Sequence, residues 1–109
     1  MNEREARIAR NEALSREINE GIEDARPAAT PGDNVRMVCE CGRPDCSNVI
    51  AISIQEYEAV RADPRSFVVD HSHVAPEVED PIRSTDRYVV VRKREGTPAT
   101  IAEEEDPRS

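Results

Sequence analysis

The chain has no tryptophan, and aromatic residues make up 3% of its 109 positions. Hydrophobic residues reach only 37%, and eight prolines and four glycines interrupt them. One domain is expected at this length, but few large side chains are available to build its core. A core unit of about 60 residues with so little apolar mass is marginal without a staple such as a metal or a disulfide. Long apolar runs are missing too. None approaches the roughly 20 residues that cross a bilayer, and the opening Met1-Asn-Glu-Arg-Glu-Ala-Arg7 is too polar for an export signal. A cytoplasmic protein that does not enter a membrane is therefore expected. Three cysteines are an odd number, which argues against a closed disulfide framework, and a reducing compartment leaves them free for metal. The sequence holds no glycine-rich phosphate loop, no Ser/His/Asp set and no His-Glu-x-x-His motif, so it is not expected to be an enzyme.

What charge there is has an uneven distribution. The net charge is −8. Residues 1–34 carry five basic and eight acidic groups, residues 35–94 nine and ten, and residues 95–109 one and five. A nearly neutral middle is thus flanked by acidic ends. An acidic chain is repelled by phosphate backbones, which disfavours nucleic acid as a partner.

Residues 2–25 are rich in Glu, Arg and Ala and contain no proline, which predicts a helix. Leu14, Ile18, Ile22 and Ala25 form one narrow stripe, and the expectation is that this stripe lies on the core while the charged remainder is solvated. The charged helix (residues 1–26) is also the candidate surface for a protein partner. Pro27, Pro31 and Gly32 mark residues 27–34 as a linker. The compact unit spans 35–94. Val35–Cys39 alternates apolar and polar residues, and Val49–Ile54 is rich in β-formers, so both read as strands. Ser53 and Glu56 match a capping box at the start of a short helix that ends before Asp63-Pro64, with Ile54, Tyr57 and Val60 sharing its buried side. Phe67–Val69 and Tyr88–Lys93 read as further strands. Residues 74–81 read as a turn-rich connector, and the acidic tail, 95–109, is expected to be disordered.

The densest chemistry lies in Cys39-Glu-Cys-Gly-Arg-Pro-Asp-Cys46 and in Asp70-His-Ser-His73. Thiolate and imidazole are the donors that zinc prefers, with Zn–S near 2.3 Å and Zn–N near 2.0–2.1 Å. Gly42, Pro44 and Asp45 allow the chain to double back between Cys41 and Cys46. The fourth donor is placed at His73, where the segment before Val74-Ala-Pro reads as a turn whose last residue faces inward. His71 is the substitute, and Asp70 and Asp45 are possible oxygen ligands. Glu40, between two cysteines, is read as a solvated residue. A Cys3His set closes a tetrahedral site, so Cys39, Cys41, Cys46 and His73 are expected to hold a structural Zn2+ rather than a catalytic one.

The motif Cys39–Cys46, the segment Ile54–Pro64, Phe67-Val-Val69, His73-Val-Ala-Pro-Glu-Val-Glu79 and the opening Ala9–Glu20 together resemble a group of uncharacterised small zinc-ribbon-like proteins of high-GC Gram-positive bacteria. The resemblance covers nearly the whole chain. It implies the same ligand set, because in that pattern a single Gly-His precedes the Pro-Glu-Val segment. His73 matches this histidine, Ser72 stands where the glycine would be, and His71 is an extra residue. It implies no activity.

The expected fold is α+β: an N-terminal helix, then a small antiparallel sheet of three or four strands with one short helix, zinc-ribbon-like. The expected function is a non-catalytic binding or regulatory module. One alternative is a thiol-based redox or zinc sensor that loses its metal when Cys39 or Cys41 is oxidised. Another is a nucleic-acid-binding ribbon using Arg36, Arg43, Arg61, Arg65 and Arg92-Lys-Arg94.

Overall fold

Alternation of apolar and polar side chains builds the first hairpin. In a computed structural model, which describes residues 3–25 and 33–107, β1 (Asn34–Val38) pairs antiparallel with β2 (Val49–Ser53). Val35 faces Ile52 and Met37 faces Ile50 across the pair, and all four are buried. Each such side chain contributes about 1.5–3 kcal/mol by leaving water. The ten residues between the two strands carry the three cysteines.

Ser53 ends β2 and caps α2 (Ile54–Arg61). Its hydroxyl accepts from the Glu56 amide at 3.0 Å, while the Glu56 carboxylate accepts from the Ser53 amide at 3.0 Å. This is the capping box expected from the sequence. Tyr57 and Val60 are buried, and Ile54 is half-buried against the same core. The helix stops ahead of Asp63-Pro64, as the proline demands.

A second sheet has the order β3-β5-β4, antiparallel throughout, with β3 at Ser66–Val69, β4 at Glu79–Ser84 and β5 at Val89–Lys93. Phe67 faces Val91, and every residue of β3 is buried. The sheet expected from the sequence is therefore two sheets of two and three strands, in an α+β fold. The strand β4 falls where a connector was expected. Its sequence, Glu-Asp-Pro-Ile-Arg-Ser, has no strand pattern, and only Glu79 is buried. It survives as an edge strand, the position that tolerates proline, and its register shifts between Pro81 and Arg83.

Two further expectations are corrected. The helix α1 (Glu3–Asp24) forms as expected, but its core-facing side is polar. Glu12, Arg16 and Asn19 are buried, whereas Leu14 and Ile18 are 54% and 45% exposed. Only Ile22 of the anticipated stripe packs on the core. The physical reason is what α1 meets there. Arg16 donates to the carbonyls of Pro64 and Ser66, each at 2.6 Å, and Asn19 bonds to the backbone of Val38. These main-chain groups need hydrogen bonds that leucine and isoleucine cannot offer. The tail is not disordered throughout either, because Thr97–Glu104 forms α3. Ala99 and Ala102 are buried, and Glu103 and Asp106 are tied to Arg65 and Arg61. The linker expected at 27–34 lies mostly outside the described residues, and at its end Asn34 already belongs to β1.

Candidate metal centre

The cysteine turn leaves β1 as an extended segment. Residues two apart on such a segment project to one side and the residue between them to the other. Glu40 points into the interior, where it is fully buried, and Cys39 and Cys41 share the opposite face. The Cys39 amide donates to the Asn48 carbonyl at 3.1 Å, which holds the base of the turn. Gly42 follows with φ +75°, a conformation glycine adopts without steric cost. The chain then turns at Pro44-Asp45, and the Cys46 amide donates to the Arg43 carbonyl at 3.2 Å.

The fourth residue comes from the far end of β3. Asp70 caps the single 3-10 turn His71–His73 by accepting from the Ser72 amide at 3.0 Å and the Ser72 hydroxyl at 2.8 Å. These bonds to Ser72 hold its carboxylate below the usual range. The turn rotates His73 towards the cysteines. His73 Nδ1 stands 3.4 Å from Cys46 Sγ and 3.7 Å from Cys39 Sγ. One donor atom each from Cys39, Cys41, Cys46 and His73 lies within 4.8 Å of all the others.

These spacings fit a tetrahedral ion. Bonds of about 2.3 Å to sulfur and 2.0 Å to nitrogen, at the tetrahedral angle, separate a sulfur from a nitrogen by about 3.5 Å. The donor chemistry fits as well. Burial pushes the Cys39 and Cys41 thiols up, and the neighbouring sulfurs push Cys39 further. A divalent cation reverses that balance, because it stabilises the thiolates that crowd one another. Backbone N–H groups already point at the sulfurs: Asp70 donates to Cys39 Sγ at 3.2 Å, and the Arg43 amide faces Cys41.

The alternatives to His73 do not belong to the cluster. His71 is exposed, and its Nε2–H donates to the Thr85 carbonyl at 2.6 Å. Asp45 is exposed on the turn. Glu40 overturns its reading as a solvated residue. Its carboxylate accepts from Tyr57 OH at 2.7 Å, Asn19 Nδ2 at 3.0 Å and the Val68 amide at 3.0 Å, and its own amide donates to the Val68 carbonyl at 2.8 Å. Burial pushes its pKa up, opposed by those bonds and by Arg16. Asn19, Tyr57 and Glu40 carry no sequence signal as a group. Only the position of a glutamate between two ligand cysteines hinted that it has one fixed direction.

Most of the basic residues considered for nucleic acid are paired with carboxylates. Arg61 meets Glu20 and Asp106, Arg65 meets Glu103, Arg92 meets Asp63, Lys93 meets Glu12 and Glu79, and Arg94 meets Asp80. Arg36 and Arg43 are exposed. No helix among the described residues is long and apolar enough to cross a membrane. The chain matches no protein-family model, no curated protein and no solved structure.

Proposed function

We propose that Cys39, Cys41, Cys46 and His73 hold one Zn2+ as a structural site in a small cytoplasmic binding or regulatory module without catalytic activity. The convergence of four donor atoms within 4.8 Å carries this reading. Four protein donors leave no coordination position for a reacting water, which supports a structural over a catalytic ion. The paired state of five of the basic residues supports a protein rather than a nucleic-acid partner. The exposed Leu14 and Ile18 support α1 as the side presented to it.

Native mass spectrometry of the full chain tests the reading. One zinc per chain is expected, lost together in Cys46→Ala and His73→Ala. A chain that takes up no metal after reduction and incubation with zinc would overturn it. Mild peroxide separates this from the redox-sensor alternative: a structural site keeps its zinc, whereas a sensor releases it reversibly.

A further inference from the structure

The groups that aim the cysteines come largely from the polar side of α1, the side expected from the sequence to face solvent. Asn19 Nδ2 donates to the Val38 carbonyl at 2.9 Å and to Glu40 Oε2 at 3.0 Å, and Asn19 Oδ1 accepts from the Val38 amide at 2.8 Å. One side chain thus satisfies both backbone groups of the residue before Cys39 and also grips the residue after it. Tyr57 on α2 and the Val68 amide on β3 complete the hold on Glu40. Further along the turn, Asn11 Nδ2 donates to the Gly42 carbonyl at 3.1 Å. Gly42 lies so close beneath α1 that an added Cβ would meet Glu12 Cγ at 2.6 Å and the Ile8 carbonyl at 2.7 Å.

Resting on the zinc reading above, we propose that Asn19 and Glu40 are positioning residues of the Cys3His site, and that zinc binding and the docking of α1 are thermodynamically linked. Glu40 works as a peg. With its carboxylate fixed in the interior, the two flanking cysteines are turned to the opposite side, where Cys46 and His73 wait. Asn19 holds the peg and the preceding peptide at once, so the donors converge only while α1 is docked. Linkage is reciprocal. If docking raises zinc affinity by some factor, zinc raises the docking equilibrium of α1 by the same factor. Outer partners of metal ligands typically change metal affinity by about 10–100-fold.

The test uses the full chain and zinc ion alone, with affinity read by competition against a chromophoric chelator. Asn19→Ala is expected to bind zinc about 10–100-fold more weakly. Asn11→Ala is expected to weaken binding in the same direction, and Leu14→Ala, on the exposed side of the same helix, to leave it unchanged. In the wild type, chelation is expected to raise amide exchange along residues 8–22. Because zinc binding and folding are linked, Glu56→Ala, which weakens the α2–Arg87 contact away from α1, sets how far lost stability alone lowers zinc affinity, and the asparagine variants are expected to lower it further for the same loss of stability. Zinc binding by both asparagine variants as tight as the wild type's would overturn the linkage and leave the zinc site standing. Should Asn19→Ala fail to fold, Asn11→Ala and the wild-type exchange measurement decide alone. A wild-type chain that binds no zinc at all would overturn the site and the linkage together.

Discussion

The guanidinium carbon of Arg16 lies 3.6 Å from the centre of the Phe67 ring, and the same side chain reaches the carbonyls of Pro64, Ser66 and Ala102. An arginine thus occupies the place on α1 where a leucine would be anticipated. Lys93 approaches the same ring at 5.2 Å, so two cations lie near Phe67. The surface beneath α1 is a ring face bordered by backbone carbonyls, which arginine covers with its stem and fork together.

This arrangement inverts the usual ranking of substitutions on an amphipathic helix. Arg16→Ala removes charge-assisted hydrogen bonds and leaves buried carbonyls without donors, a loss of about 3 kcal/mol or more. Leu14→Ala removes a half-exposed side chain and should stay within about 0.5 kcal/mol. Urea unfolding of the zinc-loaded protein compares the two, and a larger loss for Leu14→Ala than for Arg16→Ala would contradict this packing.

The contrast shows where the sequence was legible. Strands β1, β2, β3 and β5 carry alternating or continuous β-formers, and α2 carries a capping box, so local chemistry announced them. The four donors were legible because thiols and imidazole are rare and their clustering is specific. Which side of α1 faces inward was not, because hydrophobic periodicity assumes an apolar partner surface. The strand β4 hid behind Pro81, and α3 behind its glutamates, since two buried alanines make a weak pattern. Glu40 could not be placed without knowing that Asn19, Tyr57 and Val68 meet around it.

Lys93 is shared by two carboxylates, Glu12 and Glu79, each 2.6 Å from its ammonium. One cation between two buried anions leaves an excess negative charge. Burial outweighs the attraction to Lys93 and raises the Glu12 pKa to about 7, from about 4.5 when unfolded. Between those values the folded chain binds the extra proton, so this group's contribution to stability falls as pH rises from 4.5 to 7. Glu12→Gln, which keeps the shape without the charge, should flatten that slope and lie closest to or above wild-type stability near pH 8. Thermal unfolding of both proteins from pH 5.5 to 8 measures it, and parallel pH profiles would refute the assignment.

Glu56 is the opposite case. It accepts from Arg87 at 2.9 and 3.2 Å and from Tyr88 OH at 2.7 Å while closing the capping box. The Arg87 hydrogen bonds hold its carboxyl down to about 2. The stabilisation is present at neutral pH and is lost as pH falls from about 4.5 through 2. Glu56→Ala deletes the return bond of the capping box and the clamp between α2 and the Arg87 turn, while the Ser53 cap itself remains, and should cost about 1–2 kcal/mol at pH 7. Chemical unfolding at pH 7 is the measurement, and a change within about 0.5 kcal/mol would show that the clamp carries no net energy.

The two histidines provide the most discriminating comparison, because they are separated by one residue and differ in what they face. His73 Nδ1 points at two sulfurs, while His71 Nε2–H is bonded to Thr85 across the loop. Removing a direct donor should weaken zinc binding by more than the about 10–100-fold that outer partners command. His73→Ala should therefore lose its metal to a competing chelator. Zinc-dependent folding makes its unfolding resemble that of the metal-free chain, with lost cooperativity. His71→Ala should keep its zinc and lose only a single hydrogen bond, about 1 kcal/mol. Equal zinc affinities for the two variants would mean that neither histidine is a ligand, and a reversed order would place His71 in the site and require the 3-10 turn after Asp70 to rotate.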